Sequence, residues 1–192
     1  MSETTTTDAI GEACRTMTGI VRAAADTDLD SPTPCTDFNL RTLLTHFAGT
    51  STAFARAGSS RALDPDDPWG SKVELSDDWP SQFQSNFSQI ATGWTGADAL
   101  EGSVEGSPMP ARALGEMLLI EVILHGWDVA RASGQQVEIS DALGAEVLRC
   151  VSATADQGRE LHAYGPEVEV ARDASDLDKA LGLAGRDPNW TR

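Results

Sequence analysis

Glu121 and His125 stand four residues apart in the most apolar stretch of the chain, Met117-Leu-Leu-Ile-Glu-Val-Ile-Leu-His-Gly-Trp-Asp128. On a helix that spacing puts both side chains on one face, one turn apart. A carboxylate among Leu and Ile is costly to desolvate unless something compensates its charge. A neighbouring histidine can do so, and so can a metal ion held by both residues. Of the three histidines, a second, His46, lies in another apolar segment, Leu43-Leu-Thr-His-Phe47. Imidazole and carboxylate together suit zinc or a similar divalent ion, and catalytic zinc sites commonly use three protein ligands plus an open position. His46 supplies the third ligand if its helix packs beside that of Glu121. The residues by themselves leave two readings open, a three-ligand site and a buried polar pair.

Asp128, three residues after His125, can accept a hydrogen bond from the imidazole nitrogen that faces away from a metal. It can equally pair with Arg131, three residues further on. His162 beside Gly165-Pro166 reads as a surface or loop histidine, and Cys35 as a small packed residue rather than a nucleophile. No Gly-x-Ser-x-Gly elbow, phosphate loop or dinucleotide fingerprint is present.

The elements that must position these residues are helical. Ile10, Cys14, Met17, Val21 and Ala24 recur at helical spacing and predict a first helix over residues 5–26. Asn39 is an N-cap for a second helix whose apolar face carries Leu40, Leu43, Leu44, Phe47 and Phe54, with Gly58 as its stop. Residues 58–78 read as a long surface loop. Asp78 then caps a third helix with the stripe Trp79, Phe83, Phe87, Ile90 and Trp94, ended by Gly93 and Gly96. Residues 97–110 read as a loop or weak hairpin.

A fourth helix over residues 111–133, stopped by Gly134, is apolar on nearly every side and belongs at the centre of a bundle. Ser140 caps a fifth helix. Glu167-Val-Glu-Val170 alternates like a short edge strand, and Ser175 opens a final short helix that stops near Gly185. The fold class expected is all-α: a four-helix bundle over residues 1–158 with a short C-terminal extension over 159–192, leaving room for short strands and a final helix.

The chain has 192 residues, enough for one domain. Asp and Glu number 30 against 14 Lys and Arg, a net charge of −16 that repels phosphate backbones and anionic lipid, so neither nucleic acid nor membrane is an expected partner. No apolar run approaches the ~20 residues that span a bilayer. The N-terminal Met1-Ser-Glu-Thr-Thr-Thr-Thr-Asp8 lacks the basic and apolar regions of a signal peptide. With three widely spaced cysteines that form no pairing motif, the expectation is a cytoplasmic protein, monomeric or homodimeric.

Two segments together, Pro32-Thr-Pro-Cys-Thr-Asp-Phe-Asn-Leu-Arg-Thr-Leu-Leu-Thr-His46 and Glu121-Val-Ile-Leu-His-Gly-Trp-Asp-Val-Ala-Arg-Ala132, resemble the DinB-like metal-binding superfamily. More narrowly they resemble its actinobacterial branch related to mycothiol-dependent maleylpyruvate isomerase. The tail, Tyr164-Gly-Pro-Glu-Val-Glu-Val170 through Gly185-Arg-Asp-Pro-Asn-Trp190, is similar to that branch as well. The resemblance implies a DinB-like four-helix bundle with a divalent metal held by His46, Glu121 and His125. Zinc is the first choice, with nickel or another divalent ion as substitutes. Many relatives carry His at the middle position, so Glu121 places the chain with the isomerase-like subgroup.

The resemblance further implies mycothiol or another low-molecular-weight thiol as cofactor, activated as a thiolate against an electrophilic small molecule. Two departures stand out. Phe38 replaces a usual Trp, and residues 160–192 are short and acidic, with only Arg172, Lys179, Arg186 and Arg192 as Lys or Arg residues to contact an anionic substrate. The function expected is a thiol-dependent transferase or isomerase, with no residue singled out as catalytic. The alternatives are a non-catalytic, metal-stabilised or ligand-binding bundle, and a metal-dependent hydrolase with Glu121 as base.

Overall fold

A computed structural model describes residues 5–192; residues 1–4, part of the stretch read for a signal peptide, lie outside the described residues. Six helices follow in order: α1 (Thr6–Ala23), α2 (Leu40–Ser60), α3 (Trp79–Trp94), α4 (Ala111–Ala132), α5 (Asp141–Glu160) and α6 (Asp176–Leu183). The fold is all-α, and the described residues contain isolated bridges but no sheet.

Local chemistry sets most helix ends. Asn39 accepts a hydrogen bond from the Thr42 amide, Ser140 from Leu143 and Ser175 from Asp178, each satisfying an amide with no partner inside its helix. Gly134, at φ 76°, follows the end of α4. Asp78 occupies the N-cap position of α3 without a side-chain capping bond.

α1 and α2 each pack against both α3 and α4, which closes a four-helix bundle; α5 lies on α4 and α1, and α6 on α5. The faces that meet carry the apolar stripes: Ile10, Cys14 and Met17 of α1, Leu43, Leu44 and Phe47 of α2, and Phe83, Phe87 and Ile90 of α3 are all buried. From Leu118 to Ala130 every residue of α4 except Glu121 is buried, as its all-round apolar sequence requires.

Three expectations need correction. Gly58 does not stop α2, which runs on to Ser60 and ends in a left-handed Arg61. Instead Gly58 lies where α2 crosses α3: a Cβ there would meet Trp94 Nε1 at 2.6 Å and Gly93 Cα at 3.2 Å. The glycine was chosen by the neighbouring helix, not by the end of its own. The first helix stops at Ala23 rather than residue 26. Glu167–Val170 forms no strand; its backbone reaches α6 through one bond, Val168 N–H to the Gly182 carbonyl at 2.9 Å.

Candidate metal centre

α2 and α4 pack side by side, and this brings His46 to the pair on α4. His46 precedes the buried Phe47 and so sits at the rim of the interface, with its side chain 41% exposed. Glu121 and His125 face it from the middle of α4. His46 Nε2 and His125 Nε2 each stand 3.6 Å from Glu121 Oε2. The three donor atoms all lie within 4.8 Å of one another, and the two rings meet edge to face at 4.9 Å between centroids. Phe38 lies against the outer side of the His46 ring at 5.8 Å, and Phe47 against His125 at 5.9 Å.

Glu121 Oε2 is buried and has no hydrogen-bond partner, the one such side-chain atom among the described residues. Buried polar atoms are almost always satisfied, so an orphaned carboxylate oxygen calls for an occupant. The donor set fits a divalent cation: one anionic oxygen and two imidazole nitrogens, all converging on one spot. Burial works to raise the Glu121 pKa, but the neighbouring imidazoles of His125 and His46 and the charge of Arg186 outweigh it and hold the carboxyl below the ordinary glutamate value.

Asp128 stands behind the cluster, fully buried, with Oδ2 at 3.2 Å from His125 Nδ1. A carboxylate at Nδ1 holds the proton there and leaves Nε2 with its lone pair toward Glu121 and His46. Of the two roles open to Asp128, it takes this one and does not pair with Arg131. Arg131 instead donates from Nε and Nη2 to the Trp190 carbonyl and lies over the Trp127 ring.

The cation that balances Asp128 is Arg186. Its Nη2 donates to Oδ2 at 2.8 Å and its Nε to Oδ1 at 3.2 Å. Burial alone would raise the Asp128 pKa, but the guanidinium and the imidazole beside it hold it below the ordinary aspartate value. Sequence reasoning counted Arg186 only as one basic residue of an acidic tail. Tyr164 was also passed over; its hydroxyl lies 3.3 Å from Thr154 Oγ1, and burial, together with the nearby charge of Glu121, raises its pKa. His162 is exposed, on a left-handed turn. Cys35 is half-buried, its thiol pushed up by burial and by the charge of Asp128.

Residues 10–130 match the family model described as the mycothiol maleylpyruvate isomerase N-terminal domain. The chain belongs to this family. The match takes in α2 and α4 with all three converging side chains and Asp128, and it ends well before Arg186. A solved structure, the crystal structure of the mycothiol-dependent maleylpyruvate isomerase, is similar at a TM-score of 0.55 and 15% identity, over 82% of this chain and 75% of that one. At that identity the likeness speaks for the fold. No curated protein matches the chain. Among the described residues no helix is long and apolar enough to cross a membrane.

Proposed function

We propose that this protein binds one divalent cation, zinc in the first instance, through His46, Glu121 and His125, and uses it with a low-molecular-weight thiol of the mycothiol type in a transferase or isomerase reaction on an electrophilic small molecule. The observation that carries this reading is the buried, partnerless Glu121 Oε2 facing two imidazole nitrogens at 3.6 Å. Membership of a family named for a mycothiol-dependent isomerase supports the choice of thiol.

A divalent ion held by His46, Glu121 and His125 would supply Lewis acidity, lowering the pKa of a low-molecular-weight thiol so that its sulfur is nucleophilic at neutral pH. The chain's own residues do the rest. Asp128 keeps the proton of His125 on Nδ1, so that Nε2 stays a donor of electrons. His46, the most exposed of the three, marks the side from which solvent and small molecules reach the cluster.

The charges agree with this chemistry. Two carboxylates, Glu121 and Asp128, face one guanidinium, Arg186, a net of one negative charge with neutral imidazoles. Residues with that net negative charge would favour holding a divalent cation. Arg186 is committed to Asp128 and to the Ala184 carbonyl, which removes its guanidinium from substrate binding. The electrophile must therefore be recognised without it. A hydrolase reading needs Glu121 free to act as a base, whereas its Oε2 is equidistant from the two imidazoles, the position of a ligand.

The test is metal content followed by thiol binding. Purified protein is expected to hold one zinc per chain by native mass spectrometry, and His46→Ala and His125→Ala to lose it. Mycothiol added to the zinc-loaded protein is expected to bind, measured by calorimetry. Protein that takes up no metal, with a melting temperature indifferent to added zinc, overturns the proposal. Zinc uptake with no thiol binding reduces it to a metal-stabilised bundle.

A further inference from the structure

We propose that Arg186 is a positioning residue of the metal centre, acting through Asp128 on the ring of His125. The inference rests on the metal reading above and extends it to a segment outside the matched family region. The geometry is a chain of contacts. The guanidinium fork takes both carboxylate oxygens of Asp128, Nη2 to Oδ2 at 2.8 Å and Nε to Oδ1 at 3.2 Å. Oδ2 also meets His125 Nδ1 at 3.2 Å. Two bonds from one planar donor fix the plane of the carboxylate, which a single donor would leave free to rotate. With that plane fixed, Oδ2 holds the imidazole at one tilt and Nε2 stays aimed at Glu121.

Arg186 is itself held in place by the backbone. α6 ends in a Schellman motif: the Arg186 amide donates to the Leu181 carbonyl at 2.9 Å, and the Gly185 amide to Gly182 at 3.0 Å. Gly185 adopts φ 80° and packs so tightly that a Cβ there would lie 2.6 Å from Gly165 Cα. The residue after the glycine is thereby sent inward, and its side chain is only 8% exposed. Its remaining nitrogen, Nη1, donates to the Ala184 carbonyl at 3.2 Å. A residue 58 positions beyond Asp128 in sequence thus sets the orientation of a ligand on α4.

A double-mutant cycle on the full chain tests this. The four proteins are wild type, Arg186→Met, Asp128→Asn and the double variant. The readouts are zinc affinity, from competition with a chromophoric chelator, and the melting temperature of the metal-free protein. Loss of a partner behind a metal ligand typically lowers affinity by ~10–100-fold. Arg186→Met is expected to weaken zinc binding about tenfold in the wild-type background and less than twofold when Asp128 is already Asn. An equal loss in both backgrounds signals general loosening and overturns the proposal, as does wild-type affinity in Arg186→Met. If Arg186→Met does not fold, because Asp128 is left buried and unpaired, Arg186→Lys takes its place. That variant keeps the charge without the fork, and a smaller loss, again confined to the Asp128 background, is expected. If it binds zinc like wild type, the proposal is overturned. Failure of the metal reading looks different, since wild type and all variants then bind no zinc.

Discussion

Glu121 is where the sequence and the structure place the most strain on ordinary expectations, since it puts a carboxylate in an apolar helix with one oxygen left unpaired. Glu121→Gln removes the charge while keeping the shape. Zinc at about a hundred times its dissociation constant should stabilise the wild type by ~2.7 kcal/mol, because it binds only the folded state. For a chain of this size that is a rise of about 5–10 °C in melting temperature. The variant should lose that rise, while its metal-free melting temperature falls only slightly, since the attraction of Arg186 and the imidazoles for the carboxylate is lost together with the cost of burying it. A metal-free protein much less stable than wild type would instead make Glu121 a structural pair with the histidines. The cysteines give a second prediction. Burial raises the Cys14 and Cys150 thiols to about 12. A thiol with a raised folded pKa favours the fold fully below its unfolded value of about 8.5, and that contribution is lost as pH climbs toward the folded value. Melting temperature should therefore fall progressively above about pH 9. Alkylation of Cys14 and Cys150 at pH 8 should be slow until denaturant is added, as mass spectrometry of the modified peptides would reveal.

Among the elements, the crossing of α2 and α3 depends on two glycines with no room to spare. A Cβ on Gly93 would lie 2.5 Å from the carbonyl carbon of Gly58, backbone against backbone, where no side chain can move aside. The same crossing holds the Trp94 indole, whose Nε1 donates to the Phe54 carbonyl at 2.8 Å. Gly93→Ala should gain ~0.5–1 kcal/mol in helix propensity and lose more, ~1–3 kcal/mol, to overpacking. Net destabilisation in a denaturant titration is expected, and an increase in stability would refute the tight crossing. This crossing also marks the boundary of what could be read from sequence. Caps were legible at Asn39, Ser140 and Ser175 because a cap satisfies amides within three residues of itself. Gly58 is not a helix stop, because its reason lies on another helix. The candidate site divides the same way. Glu121 and His125 share a face through helical period alone, whereas His46 joins them only because α2 packs on α4. Asp128 was legible as a partner for His125. Its cation was not, because Arg131 at helical spacing looked suitable and Arg186 is 58 residues away.

The molecule as a whole carries a charge of −16, and its ion pairs divide into two kinds that should respond differently to salt. Arg56–Asp64, Arg159–Asp156 and Lys179–Asp176 lie at or near the surface, where such pairs contribute ~0–1 kcal/mol and weaken as ions screen them. Arg186–Asp128 is shielded by the bundle and should scarcely notice. Against these few attractions stands the mutual repulsion of 30 acidic side chains with only 14 basic ones among them. That repulsion acts over longer distances than a contact pair, and it opposes compaction. Raising ionic strength from about 10 mM to about 150 mM shortens the screening length from ~30 Å to ~8 Å, which removes the long-range repulsion while leaving the buried pair intact. The melting temperature of the metal-free protein should therefore rise over this range. Sodium chloride and choline chloride should act alike, because the effect depends on ionic strength and not on a particular ion binding at the acidic surface. A melting temperature that falls with either salt would mean that the surface pairs outweigh the repulsion, and that the acidic excess is arranged so that its charges seldom face one another.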